Sequence, residues 1–153
     1  MIYKTISSKE TQKLAGFLFK KISKNSPPVG GKKAVVIALE GELGSGKTTF
    51  VQGFAKAVGI KSKVKSPTFN LLKEYKLPSL KKFRLLYHID CYRLKNYKDL
   101  LHLGIKHMLN DDKNIILIEW ADRVRPILPK KYVKIHIDHI NKSTRNIDVK
   151  MQK

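Results

Sequence analysis

The apolar side chains of the chain fall into short segments with two different periods. Ser7-Ser8-Lys9-Glu10 has the form of a capping box, and Leu14, Phe17, Leu18 and Ile22 follow at helical spacing until Asn25-Ser26-Pro27-Pro28 stops them. After a Gly30-Gly31 loop, Ala34 to Leu39 is a continuous apolar run of buried-strand length. A glycine-rich loop comes next, and Thr48 to Val58 predicts a helix that Gly59 ends. Phe69 to Tyr75, Phe83 to Asp90 and Asn114 to Glu119 are rich in strand formers, whereas Tyr97 to Leu109 reads as helical. Val133, Ile135 and Ile137 alternate with Lys134, His136 and Asp138. Ile147, Val149 and Met151 alternate again after an Asn141-Lys142-Ser143 turn, which predicts a terminal hairpin. Strands alternating with helices predict an α/β fold with a mixed, centrally parallel sheet flanked by helices. Pro78 to Lys82 reads as a short basic loop.

Composition narrows the class. With 153 residues and 42% apolar composition the chain can bury one good core, so residues 1–153 are expected to form a single domain. Its apolar runs fall well short of the roughly 20 residues a membrane helix requires, and the first residues lack a signal-peptide pattern. One cysteine, Cys91, cannot make an internal disulfide, and no Cys/His cluster has zinc spacing, which fits a reducing cytoplasm. The formal charge of +20 admits two readings. It favours contact with nucleic acid or another polyanion. Yet only Arg84, Arg93, Arg123, Arg125 and Arg145 are arginines, and lysine-rich composition scatters charge over any solvated surface.

The chemistry is concentrated in Gly41-Glu42-Leu43-Gly44-Ser45-Gly46-Lys47-Thr48, which matches the phosphate-binding P-loop at every fixed position and sits between a predicted strand and a predicted helix. Such a loop curls so that consecutive N–H groups face phosphate oxygens, and the following helix adds its positive dipole end. Lys47 is the candidate for the β- and γ-phosphates, the Thr48 hydroxyl for Mg²⁺, and Thr49 for a further phosphate contact. Mg²⁺ also needs carboxylates near the phosphates, and Asp90 and Glu119 each end a predicted strand at the carboxyl edge of the sheet. His88 lies two residues before Asp90, so the two side chains share a face, and it is a candidate to position water or Asp90. Trp120 is a candidate to stack on a base or partner, or else to cap the core.

Taken together, Gly41 to Phe50, Ser66-Pro67-Thr68-Phe69, Tyr87-His88-Ile89-Asp90-Cys91-Tyr92-Arg93-Leu94, Leu103-Gly104-Ile105 and Leu117-Ile118-Glu119-Trp120 resemble one family, TsaE, in order from about Ser8 to Asp138. The resemblance implies a P-loop NTPase fold and an ATPase needed to make threonylcarbamoyladenosine in tRNA, working with the TsaD and TsaB proteins. It implies that Lys47 holds phosphates, that Thr48 and Asp90 serve Mg²⁺, that Glu119 organises the metal or its water, and that Trp120 belongs to the nucleotide site. Ser66 to Thr68 corresponds to a switch-like segment whose Thr68 hydroxyl would sense the γ-phosphate. The departure is Lys95 to Leu109, where related proteins carry more acidic residues and this chain has Lys98, His102, Lys106 and His107. Two other classes remain open from the residues alone: a small-molecule kinase, for which no arginine-rich lid is evident, and a non-enzymatic basic module that binds tRNA.

Overall fold

The computed structural model of the chain describes residues 1–24, 32–67 and 69–153. The expected helix stop at Asn25 to Pro28, the Gly30-Gly31 loop and Thr68 lie outside the described residues. Among the described residues, seven strands form one sheet: β1 (Ile2–Thr5), β2 (Val35–Glu40), β3 (Leu72–Lys76), β4 (Leu85–Asp90), β5 (Asn114–Glu119), β6 (Tyr132–His139) and β7 (Arg145–Gln152). Their spatial order is β1-β7-β6-β2-β5-β4-β3. The pairs β6–β2, β2–β5 and β5–β4 are parallel, and β7, β1 and β3 add antiparallel strands at the flanks. The sheet is therefore mixed and centrally parallel, as the alternation of segments predicts. β2 and β5 are buried at every position because helices cover both their faces.

Two helices, α1 (Ser8–Lys24) and α2 (Lys47–Ala57), cover one face, where Ile37, Leu39, Phe50, Phe54, Leu117 and Ile135 share a core. On the other face, α3 (Lys98–His102), α4 (Ile105–Leu109) and a 3-10 helix over Ala121–Ile127 enclose Val36, Ala38, Ile89, Ile116 and Ile118. The helical stretch expected over Tyr97 to Leu109 is divided because Gly104 takes φ 82°, a left-handed conformation that cannot continue a helix.

Local chemistry sets the helix ends. Ser7 Oγ accepts from Glu10 N–H at 3.1 Å, and Glu10 Oε2 accepts from Ile6 N–H at 2.8 Å, so the capping box closes one residue further back than its usual form. α2 ends in a Schellman turn, with Ile60 N–H on Ala55 O at 3.0 Å and Gly59 N–H on Lys56 O at 3.1 Å. In α1 the expected stripe needs correction, since Phe17 is 53% exposed and Phe19 is buried in its place, edge-on to Phe54 at 5.2 Å. α2 selects the stripe of α1 that it touches. The strand expected from Phe69 begins only at Leu72, because Leu71 takes φ 63° and Phe69 is 89% exposed. β1 has no counterpart in the sequence reading, since four residues against β7 give too short a pattern to recognise.

Candidate nucleotide site

The P-loop leaves the carboxyl end of β2 and turns into α2, whose first residue is Lys47. Gly41 takes φ 143°, and a Cβ there would lie 2.3 Å from Ile137 O, so only glycine lets the loop leave the strand so close to β6. Lys47 is buried and its Nζ donates to Gly41 O at 2.6 Å, Glu42 O at 2.9 Å and Ser45 Oγ at 3.4 Å. It also lies 4.0 Å from the centroid of the Trp120 ring. Burial lowers the Lys47 ammonium from its ordinary value, while the carboxylates of Glu119 and then Asp90 act in the opposite sense.

Asp90 and Glu119 end β4 and β5, and the sheet register sets them side by side. Both are buried, at 7% and 2% exposure, on the face that α2 covers. Thr48 Oγ1 donates to both Glu119 oxygens at 3.1 Å. Asp90 Oδ1 accepts from Tyr92 N–H at 2.9 Å, and Oδ2 accepts from the Ser66 hydroxyl. β2 also ends in a carboxylate, but Glu40 faces the opposite side of the sheet and pairs with Lys134 at 2.7 Å. Of the three acidic strand ends, two belong to the site.

His88 shares the face of Asp90, as its spacing predicts, yet its partner is Glu119: Nε2 lies 2.7 Å from Oε1, with the ring fully buried. A carboxylate oxygen accepts, so the ring donates from Nε2, and its Nδ1 has no partner among the described residues. Trp120 takes φ 58°, unusual for a bulky side chain, and packs 5.0 Å from Tyr92 with the Arg123 guanidinium 5.3 Å from its own ring. It lines the cavity of the site and also packs against the core beneath the other face of the sheet, so both expectations for it hold. Arg93, close to Asp90 in sequence, lies 5.2 Å from the Phe69 ring.

Leu43, Gly44, Gly46, Lys47, Thr48 and Thr49 line one side of a cavity of 420 Å³, and Ser66, Asp90, Tyr92, Glu119 and Trp120 line the other. A larger cavity of 610 Å³ lies between α1, α2 and the Lys61–Val64 segment, but its walls include Ala55, Ile60 and Val64 and no acidic residue. The candidate phosphate and metal residues Lys47, Thr48, Asp90 and Glu119 all line the smaller one. Among the described residues no three His, Cys, Asp or Glu side chains converge as a metal cage.

Sequence reasoning missed Arg145. Its Nε donates to Ser45 O at 2.7 Å and a terminal nitrogen to Gly44 O at 3.4 Å, so β7 holds the outer side of the P-loop. No local signal marks it, because the contact spans 100 residues of chain. Ser66 was legible only as part of a loop tetrapeptide. Cys91, next to Asp90, is fully buried, and desolvation pushes its thiol up to about 12.

The family described as Threonylcarbamoyl adenosine biosynthesis protein TsaE matches residues 5–147 of the chain. The chain belongs to the TsaE family. Among its relatives, the Haemophilus influenzae protein named tRNA threonylcarbamoyladenosine biosynthesis protein TsaE is 37% identical, over 77% of this chain and 71% of that protein. The protein of the same name from Bacillus subtilis is 38% identical, over 76% of this chain and 69% of that one. The Rickettsia typhi protein of that name is 31% identical, over 95% and 92% of the two chains. A crystal structure of Bacillus subtilis YdiB superposes on 99% of this chain and 84% of its own, with TM-score 0.73 and 29% identity. Family membership assigns the chain to threonylcarbamoyladenosine biosynthesis and its loop to nucleotide binding. Among the described residues no helix is long and apolar enough to cross a membrane.

Proposed function

We propose that this TsaE family member binds ATP with Mg²⁺ in the cavity beneath the P-loop, hydrolyses it, and through that cycle drives or resets a TsaD–TsaB complex acting on tRNA in the cytoplasm. The observation that carries the reading is the meeting of Lys47, Thr48, Asp90 and Glu119, from three separate segments, at one edge of the sheet. The donor set suits the ion, since a threonine hydroxyl and two carboxylates are hard oxygen ligands.

In this reading Lys47 exchanges the carbonyls of Gly41 and Glu42 for β- and γ-phosphate oxygens. The loop from Gly41 through Glu42, Leu43, Gly44, Ser45 and Gly46 offers its N–H groups, Thr49 adds a phosphate contact, and Trp120 borders the base. Thr48 and Asp90 would hold the metal, and Glu119, kept in place by His88, would organise the metal or its water. Bound there, Mg²⁺ would neutralise charge on the phosphate oxygens. Ser66, two residues before Thr68 in the sequence, donates to Asp90, so a Thr68 contact with the γ-phosphate would have a short route along the chain to the metal ligand. A nucleotide cycle shifts a partner's equilibrium only where the partner prefers one nucleotide state.

The test is ATP turnover by the purified protein, alone and with its TsaD–TsaB pair and tRNA, beside Asp90→Ala. Partner-raised turnover that the variant loses supports the reading. An unchanged rate with partners present, or no nucleotide binding by the wild-type protein, defeats it.

A further inference from the structure

The site does not account for the formal charge of +20, and the sheet topology shows how that charge is distributed. Each of the parallel strands is entered through lysine: Lys32-Lys33 precede β2, Lys81-Lys82 precede β4, Lys130-Lys131 precede β6, and Lys113 immediately precedes β5. Because these strands are parallel, all four approaches lie along one edge of the sheet, opposite the P-loop. At the P-loop edge the polarity reverses, with Glu40, Asp90 and Glu119 as the last residues of β2, β4 and β5.

Neighbouring strands lie about 5 Å apart, so from β6 through β2 and β5 to β4 the lysine row extends roughly 15 Å. The seven lysines are exposed. Lys32, Lys33, Lys81, Lys113, Lys130 and Lys131 make no ion pair among the described residues, and Lys82 donates to Ser23 O at 3.2 Å. Asp111 and Asp112 are the opposing charges in this region, and Asp111 is taken by Arg84 at 2.7 Å.

We infer that this lysine edge is a docking surface for the phosphate backbone of RNA. Lysine occurs at the P-loop edge too, as at Lys9 and Lys95, but there it stands beside the carboxylate ends of β2, β4 and β5, whereas β3 and β7, which end at the lysine edge, close on Lys76 and Gln152. A row of compact ammonium groups, whose neighbouring arginine, Arg84, is engaged by Asp111, matches phosphates and carries no base readout, so recognition is of backbone and shape. An anionic membrane fits less well. Of the exposed large apolar side chains, Leu43, Phe69, Tyr92 and Ile140 lie at the opposite edge, while Met1, Ile2 and Met151 lie at β1 and β7, to the side of the β6-to-β4 lysine row and not within it. The inference does not require ATP hydrolysis.

The test compares two charge-reversal variants with equal net charge. One carries Lys32→Glu, Lys33→Glu, Lys130→Glu and Lys131→Glu. The other carries Lys9→Glu, Lys13→Glu, Lys95→Glu and Lys98→Glu, which lie at or near the P-loop edge; four reversals of two units each take +20 to +12 in both. Binding of an unmodified tRNA transcript is followed by fluorescence anisotropy across a salt series, with far-UV dichroism confirming the fold. The lysine-edge variant should lose at least tenfold in affinity, and its log–log salt slope should fall by about 3–4, near 0.9 per phosphate contact removed. The control variant should stay within about threefold of wild type. Equal loss in both variants would reduce the row to composition. A salt-insensitive wild-type interaction, or reversal that weakens binding to phosphatidylserine vesicles but not to the transcript, would overturn the inference.

Discussion

Replacing His88 by alanine tests whether the buried pair with Glu119 organises the proposed site. The ring is 0% exposed and donates from Nε2 to a carboxylate that is itself 2% exposed. Losing a hydrogen bond to a charged group costs about 1.5–3 kcal/mol, and deleting a ring from a packed interior leaves a void that costs about 2 kcal/mol. Against this, the deletion removes the unpartnered Nδ1, returning about 1 kcal/mol. The net is about 3 kcal/mol, which for a chain of this size lowers Tm by roughly 6–12 °C. Among the described residues no hydrogen bond joins His88 to Lys47 or to the P-loop glycines, so nucleotide affinity should stay within about threefold, while proposed hydrolysis falls about tenfold or more as Glu119 loses its orientation. His88→Gln keeps an N–H donor and should recover much of both losses. Scanning fluorimetry and single-turnover phosphate release measure the two effects. Wild-type melting and turnover in His88→Ala would refute the argument. So would a glutamine variant no better than alanine, since shape would then matter and the hydrogen bond would not.

Lys47→Ala should abolish the change in emission of Trp120, the single tryptophan, that Mg-ATP is expected to cause, and weaken nucleotide binding by about 100-fold or more in calorimetry. Arg145→Ala frees the outer carbonyls of the P-loop, and ADP affinity should fall about fivefold to tenfold, near 1 kcal/mol for the lost hydrogen bonds. Gly53→Ala would place a Cβ 2.4 Å from both Cα and O of Gln12, forcing α1 off α2 and costing about 3 kcal/mol in a urea melt. The Cys91 thiol, pushed up to about 12 by burial, should resist iodoacetamide at pH 8 until the chain unfolds. Its folded value stands above the unfolded one of about 8.5, so its contribution to stability is complete below that pH and is lost as pH rises toward 12.

Those features whose causes are local were legible in the sequence. The P-loop is eight consecutive residues, the capping box and the Gly59 helix stop are set within a turn of chain, and the β6–β7 hairpin declares itself by alternation about an Asn141 turn. Asp90 and Glu119 could be placed at strand ends because a buried run closing on a carboxylate is itself a local pattern. Tertiary structure decided everything that depends on which segments become neighbours. It gave His88 to Glu119, diagonally across a β4–β5 register that sets Leu117 opposite His88 and Asp90 opposite Glu119. The same placement turned Glu40 to the other face, brought Arg145 onto the P-loop, and exchanged Phe17 for Phe19 in the core. It also gathered lysine pairs far apart in sequence onto one edge, since parallel strands all begin on the same side. Composition counts charges, but only topology says where they meet.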